Sequence, residues 1–221
     1  MNTLFFGRIY KVRNETNNFP ISRNRNAKNI ETGFLKLNRP YLIIFARTYV
    51  YYLAVKTITK GNKENTYNDK TNVIIKNRNI YNENTNKLGN SINCSVINIM
   101  DKQMFLDLYD SNSNLNDVKV NDKIYGKVML KMNKNLISNN IWFSQVIGFE
   151  NNQTQFLWEN EIDINIKKEI IDFIKIYKEI WDSNFISLDK LKVLNLKKEE
   201  IKELKEHLIS LGYDKWNNNK N

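Results

Sequence analysis

Five runs rich in β-branched and aromatic residues crowd the first hundred positions, and they constrain the fold more than any other feature. They lie at 5–13 (FFGRIYKVR), 40–46 (PYLIIFA), 49–59 (YVYYLAVKTIT), 71–76 (TNVIIK) and 92–99 (INCSVINI), each bounded by polar breakers. Such runs predict strands, so the first half should build a mostly β core. Between the first two runs, residues 14–38 hold few apolar side chains and four basic ones. Connections of that length in compact domains usually carry function or stay outside the packed core.

Periodicity then changes. The stretch 100–109 (MDKQMFLDLY) offers Asp101 as an N-cap before apolar residues at helical spacing, which predicts a short helix. Over 117–135, Val120, Ile124, Val128 and Met132 recur every fourth residue. Helix is favoured there, although VMLKM alone could form a strand. Trp142, Phe143, Val146, Ile147 and Phe149 read as an aromatic connector that packs the tail onto the core. From residue 160 the period is helical, with a stripe of Ile162, Ile166, Ile170, Phe173, Ile174, Tyr177, Ile180 and Trp181. A short turn is expected from Ser187. A last helix should follow, capped by Asn195, striped by Leu196, Ile201, Leu204, Leu208 and Leu211, and closed by Gly212. The expected organisation is an α+β chain with a β domain over 1–140 and a helical extension over 141–221.

With 221 residues, 41% of them apolar, the chain can bury a substantial core. It has no run of eighteen apolar residues, and Leu4-Phe5-Phe6 is too short for a signal-peptide core, so neither membrane nor secretion is expected. The single cysteine, Cys94, fits a reducing compartment, and the cytoplasm is the expected location. Abundant Asn, Lys and Ile is what an AT-rich genome writes at permissive positions. Charge is more telling, because residues 1–60 carry eleven Lys and Arg against Glu15 and Glu31, which is +9 of the net +10. A local field of that sign attracts a polyanion, with a strength that falls as salt rises.

The reactive inventory excludes much. His207 is the only histidine and sits in the last helical segment, where it reads as a surface residue, so histidine-dependent triads and two-histidine ribonuclease chemistry are absent from the basic half. Zinc sites needing several Cys and His are excluded, and no Gly-rich phosphate loop or dinucleotide fingerprint occurs. Glu159, Glu161 and Asp163 form the densest carboxylate group, at a helix start where capping and the helix dipole already favour acids. No metal and no cofactor are expected. One reaction needs only the remaining groups: attack by RNA's own 2′-hydroxyl, which requires in-line alignment, charge stabilisation and proton transfer. An Arg fork can neutralise the phosphate, and Thr hydroxyls can hold it.

The order Gly7-Arg8-Ile9-Tyr10-Lys11-Val12, a loop, Asn38-Arg39-Pro40 leading into YLIIF, and a strand ending in Thr resembles the MazF/PemK toxin endoribonucleases. The stretch Ser91 to Phe105 is similar to that family's Ser-containing strand and following short helix. The likeness covers roughly residues 5–135; position 8 is Arg where the family usually has an acid, and the helical tail lies outside the usual family core. It implies a small, mostly antiparallel SH3-like β-barrel or sheet, with Arg39 as the catalytic Arg. The catalytic Thr is Thr57 or Thr59, which strand alternation would point the same way. Arg8, Lys11, Arg23, Arg25, Lys28 and Lys60 are expected to bind RNA. The resemblance further implies cleavage of single-stranded RNA, mRNA above all, to a cyclic phosphate by a homodimer that an antitoxin protein blocks. Two other readings stand beside it: a non-catalytic, translation- or ribosome-associated RNA-binding protein on a small β-barrel, and a protein-interaction module.

Overall fold

The computed structural model describes residues 6–11, 20–23, 39–77, 88–109, 112–151, 153–183, 191, 192, 194, 196 and 198–210. Its centre is the strand pair β2 (Tyr41–Ala46) and β3 (Tyr49–Thr57), antiparallel, with Tyr41 opposite Ala54 and Ala46 opposite Val50. Outside β2 lies β1 (Ile9–Tyr10), which is only two residues long where a strand over 5–13 is expected.

The far side of β3 forks. Its first half pairs with β6 (Val96–Asp101), and its second half with β5 (Gly89–Ile92), which in turn pairs with β4 (Val73–Lys76). The run expected as one strand over 92–99 is therefore two. The break has a local cause: the Asn93 side chain accepts from Ser95 N at 3.0 Å and from Ser95 Oγ at 2.7 Å. That side-chain turn competes with the ladder. Between β3 and β4 lies a short helix, α1 (Lys63–Asn68).

After β6 the predicted helices are present. In α2 (Lys102–Asp107) the Asp101 carboxylate accepts from Gln103 N at 2.8 Å and Met104 N at 3.1 Å. Asn121 caps α3 (Asp122–Ile137) through Lys123 N at 2.8 Å. The expected aromatic connector is instead β7 (Trp142–Glu150), followed by β8 (Gln153–Trp158). β7 runs parallel to β6, and α2 and α3 supply the crossover that parallel neighbours need. Residues 142–158 thus extend the sheet beyond residue 140. The sheet is mostly antiparallel, eight-stranded and open, in the order β1-β2-β3-β6-β7-β8 with β5 and β4 branching from β3. The expected barrel is not closed.

Both faces of this sheet are buried. Leu42, Tyr51, Leu53, Val55, Ile97, Ile99 and Phe143 face one core together with Val128, Met129 and Met132 of α3. The same core takes Ile170, Phe173, Ile174 and Tyr177 of α4 (Ile164–Ser183) and Leu204 and Leu208 of α5 (Lys198–Ser210). Tyr41, Ile43, Val50, Tyr52, Ala54, Met100 and Val146 face a second core with Tyr10, Ile21, Phe105 and Leu108. Each fully buried Val, Leu, Ile, Phe or Met among them contributes about 1.5–3 kcal/mol of transfer free energy. Phe45 stacks on Phe173 at 4.5 Å, and Tyr125 donates to Ile44 O at 2.6 Å, so α4 and α3 are both tied to β2. Close approach of α3 and α4 depends on Gly126, where an added Cβ would lie 2.8 Å from the Trp181 ring. The features expected at Ser187, Asn195 and Gly212 lie outside the described residues. Among the described residues no helix is long and apolar enough to cross a membrane.

Candidate phosphate-binding site

Arg39 and Pro40 lead directly into β2, and Pro40 O accepts from Val55 N at 2.9 Å. A proline suits this position because it supplies an acceptor and needs no ladder partner for a donor. Sixteen residues later in β3, Lys56 stands opposite Ser91 of β5. Alternation along β3 gives Lys56 the face of Tyr52 and Ala54, and therefore of Tyr41.

Continuing the β2–β3 register past Tyr41–Ala54 and the Val55–Pro40 hydrogen bond brings Arg39 level with Lys56. Burial pushes the Tyr41 phenol up to about 12, opposed by its hydrogen bond with Ser22 and by the positive charge of Arg39. Burial also lowers the Lys56 ammonium below its ordinary value; Arg39 lowers it further, and Asp69 opposes. One guanidinium thus acts on both groups, and two cations share a partly buried end of the sheet. Around them, Tyr41 Oη lies 3.5 Å from Ser22 Oγ and its ring meets Tyr52 edge-on at 5.3 Å. The Ser91 hydroxyl is buried, with no hydrogen-bond partner among the described residues. Two cations on one face, above a buried hydroxyl and a buried phenol, make this end of the sheet a candidate site for a phosphate-like anion.

The other expected residues are dispersed. β3 ends at Thr57, which lies opposite Asn90 and on the face away from Lys56. Thr59 is exposed and caps the 3-10 turn Lys60–Asn62, donating its N–H to Asn62 Oδ1 at 2.9 Å, so the expected alternation of the two threonines stops where the strand stops. Lys60 is exposed in that turn, and Lys11 N donates to Asn116 Oδ1 at 3.2 Å. Arg8 instead lines a cleft of about 390 Å³ with Lys119, Lys202, Glu199, Glu203 and Glu206. There burial pushes the Glu203 carboxyl up to about 7, against the pull of Lys119, the Phe6 backbone and Arg8.

Arg23 is only 2% exposed. Its guanidinium sits 3.4 Å over the Trp158 ring and 4.8 Å from that of Phe156, and its backbone N–H donates to Asn98 Oδ1 at 3.1 Å. Burial lowers its pKa to about 10, with Glu161 opposing. It packs the strap 20–23 onto the sheet through a cation–π contact. Arg25 and Lys28 lie outside the described residues. Of the acidic trio, Glu161 accepts from Trp158 N at 2.7 Å and Asp163 from Asn165 N at 2.7 Å, both serving the turn into α4.

His207 corrects the surface reading. It is 5% exposed, with Nδ1 3.0 Å from the Asp122 carboxylate and Nε2 2.8 Å from the Tyr177 hydroxyl. In the neutral ring Asp122 accepts from Nδ1–H and Tyr177 donates to Nε2. Burial lowers its pKa, partly countered by Asp122. Periodicity alone could not reveal this, because the partners come from α3 and α4. Lys56 and Ser91 were missed as site residues for a different reason. Lys56 counted only towards the net charge and Ser91 only towards a motif, although alternation from Thr57 already assigns Lys56 to the opposite face.

No family model matches this chain, and a search of curated proteins finds no match.

Proposed function

We propose that this protein is a metal-independent endoribonuclease of the toxin-antitoxin type that cleaves single-stranded RNA by 2′-hydroxyl attack. The observation that carries the reading is the pairing of Arg39 with Lys56 on one sheet face beside the buried Ser91 hydroxyl. Two adjacent cations repel one another in the free protein and are relieved by a dianionic or developing pentavalent phosphate, which is the charge such cleavage generates. The antiparallel β1-β2-β3-β6 run, with Arg39-Pro40 at the head of β2, supports a MazF/PemK-type, SH3-like core opened by the addition of β7 and β8. On this reading the protein acts as a homodimer on mRNA in the cytoplasm, under control of an antitoxin protein.

The purified protein should cut labelled single-stranded RNA in EDTA and leave a 2′,3′-cyclic phosphate. Arg39→Ala should reduce cutting on the order of 10²–10³-fold while circular dichroism stays unchanged. Full activity in that variant would overturn the site.

A second reading, an RNA-binding protein without cleavage, is favoured by one observation: Thr57 faces away from Lys56. RNA that is bound with salt-dependent affinity yet stays intact would select this reading.

A further inference from the structure

We propose that Lys56 is the general acid of the reaction, delivering a proton to the departing 5′-oxygen, and that neither threonine performs this step. This inference rests on the endoribonuclease reading. As the 2′-oxygen forms its bond to phosphorus, the P–O5′ bond breaks and its electron pair stays on O5′. The 2′-hydroxyl proton passes to solvent water, and O5′ takes a proton from the Lys56 ammonium. The products are a 2′,3′-cyclic phosphate, a 5′-hydroxyl and a neutral Lys56 amine, which water reprotonates.

Elimination among the described groups leads to Lys56. Arg39 reaches the same ground, but a guanidinium holds its proton too tightly to release it near neutral pH. The Tyr41 phenol is fully buried and raised to about 12, and its oxygen faces Ser22 Oγ at 3.5 Å, which leaves it a poor donor. The Ser91 hydroxyl is far too weak an acid and is fully buried, opposite Lys56 on the ladder. His207, the residue type most often used for this task, is engaged with Asp122 and Tyr177 in the helical layer. Thr57 is on the other face, and Thr59 sits in a turn beyond the strand.

Among the described residues, Lys56 alone joins a position beside Arg39 to a proton that can be moved. The groups acting on it are Arg39 from the head of β2 and Asp69 from the turn after α1, with Ser91 across the ladder from β5. Burial and the Arg39 charge both favour release of its proton, and Asp69 opposes. An acid whose pKa is moved towards the working pH transfers its proton more readily.

The experiment first maps the linkage that the wild-type protein cuts, then replaces the 5′-oxygen of that linkage by sulfur, whose thiolate leaves without protonation. On ordinary RNA, Lys56→Ala should slow cleavage on the order of 10²–10⁴-fold. On the sulfur-substituted RNA the same variant should cut within roughly tenfold of wild type, while Arg39→Ala stays slow on both substrates. Wild-type activity should fall as pH rises through the lowered pKa of Lys56, and that limb should vanish in Lys56→Ala. Equal losses on both substrates, or full activity of Lys56→Arg with an unmoved limb, would reduce Lys56 to a phosphate-binding charge and overturn the proposal. If wild-type protein cuts no RNA, the endoribonuclease reading itself falls and the proposal falls with it.

Discussion

Two ionisable residues on α5 oppose one another in their dependence on pH. His207 has a folded pKa below its unfolded value, so the unfolded chain binds the extra proton between the two values. Its contribution to stability is complete above pH of about 6.5 and is lost as pH falls towards the folded pKa. Glu203 is raised from 4.5 to about 7, so its folded form holds a proton that the unfolded form has released. Its contribution is complete below 4.5 and is lost as pH rises through about 7. Glu203→Gln should therefore raise the melting temperature at pH 8 relative to wild type and change it little at pH 4. His207→Gln should remove the acid-side loss between pH 7 and 5. Thermal unfolding of both variants from pH 4 to pH 8 checks the two signs. Cys94 adds nothing to this behaviour, because burial pushes its thiol up to about 12 and leaves it protonated throughout.

Among the elements, the contact between α3 and α4 is the most exacting. A methyl group at Gly126 would stand 2.8 Å and 3.2 Å from two Trp181 ring carbons. Gly126→Ala should cost about 1–3 kcal/mol in denaturant unfolding, the usual range for overpacking. Combining it with Trp181→Leu should recover part of that loss, since the two residues share one space. Local chemistry made several elements legible beforehand. β2, β3 and β4 follow from β-branched and aromatic runs, α2 from the Asp101 cap, and α4 from its stripe. β7 was not legible, because its first half is buried on both faces and loses its alternation, and because Asn at the tight connection to β8 does not stand out in so Asn-rich a chain. Phe143, Ser144, Gln145 and Val146 are consecutive and all buried. The fork of β3 was equally hidden, since nothing in residues 92–99 says that Asn93 will fold back on Ser95. At the site, Arg39 could be found from the residues around it, whereas Lys56 required the register with β5.

Across the whole molecule, the positive end of the sequence becomes several separate surfaces. Arg47 pairs with Glu169 at 2.9 Å, Arg23 is buried on Trp158, and Arg8 faces the carboxylates of α5. Arg39, Lys56 and Lys60 lie near the end of β3 and are candidates for a polyanion among the described residues. Anisotropy titrations with single-stranded RNA should therefore separate two groups of variants. Arg39→Ala or Lys56→Ala should each weaken binding and reduce the slope of log affinity against log salt by about 1. Arg47→Ala and Arg8→Ala should leave the slope unchanged.

β3 belongs to two ladders, one shared with β6 and the other with β5, and the changeover falls between Tyr52 and Val55. A saturation scan of its nine residues would then divide into two phenotypes. Positions paired with β6 would register as loss of soluble protein, because their side chains pack into the two cores on either face of the sheet. Of the positions paired with β5, the buried Val55 would register the same way, whereas Lys56, on the proposed function, would register as protein of normal abundance that has lost its hold on RNA. A single strand would thus record folding at one end and activity at the other.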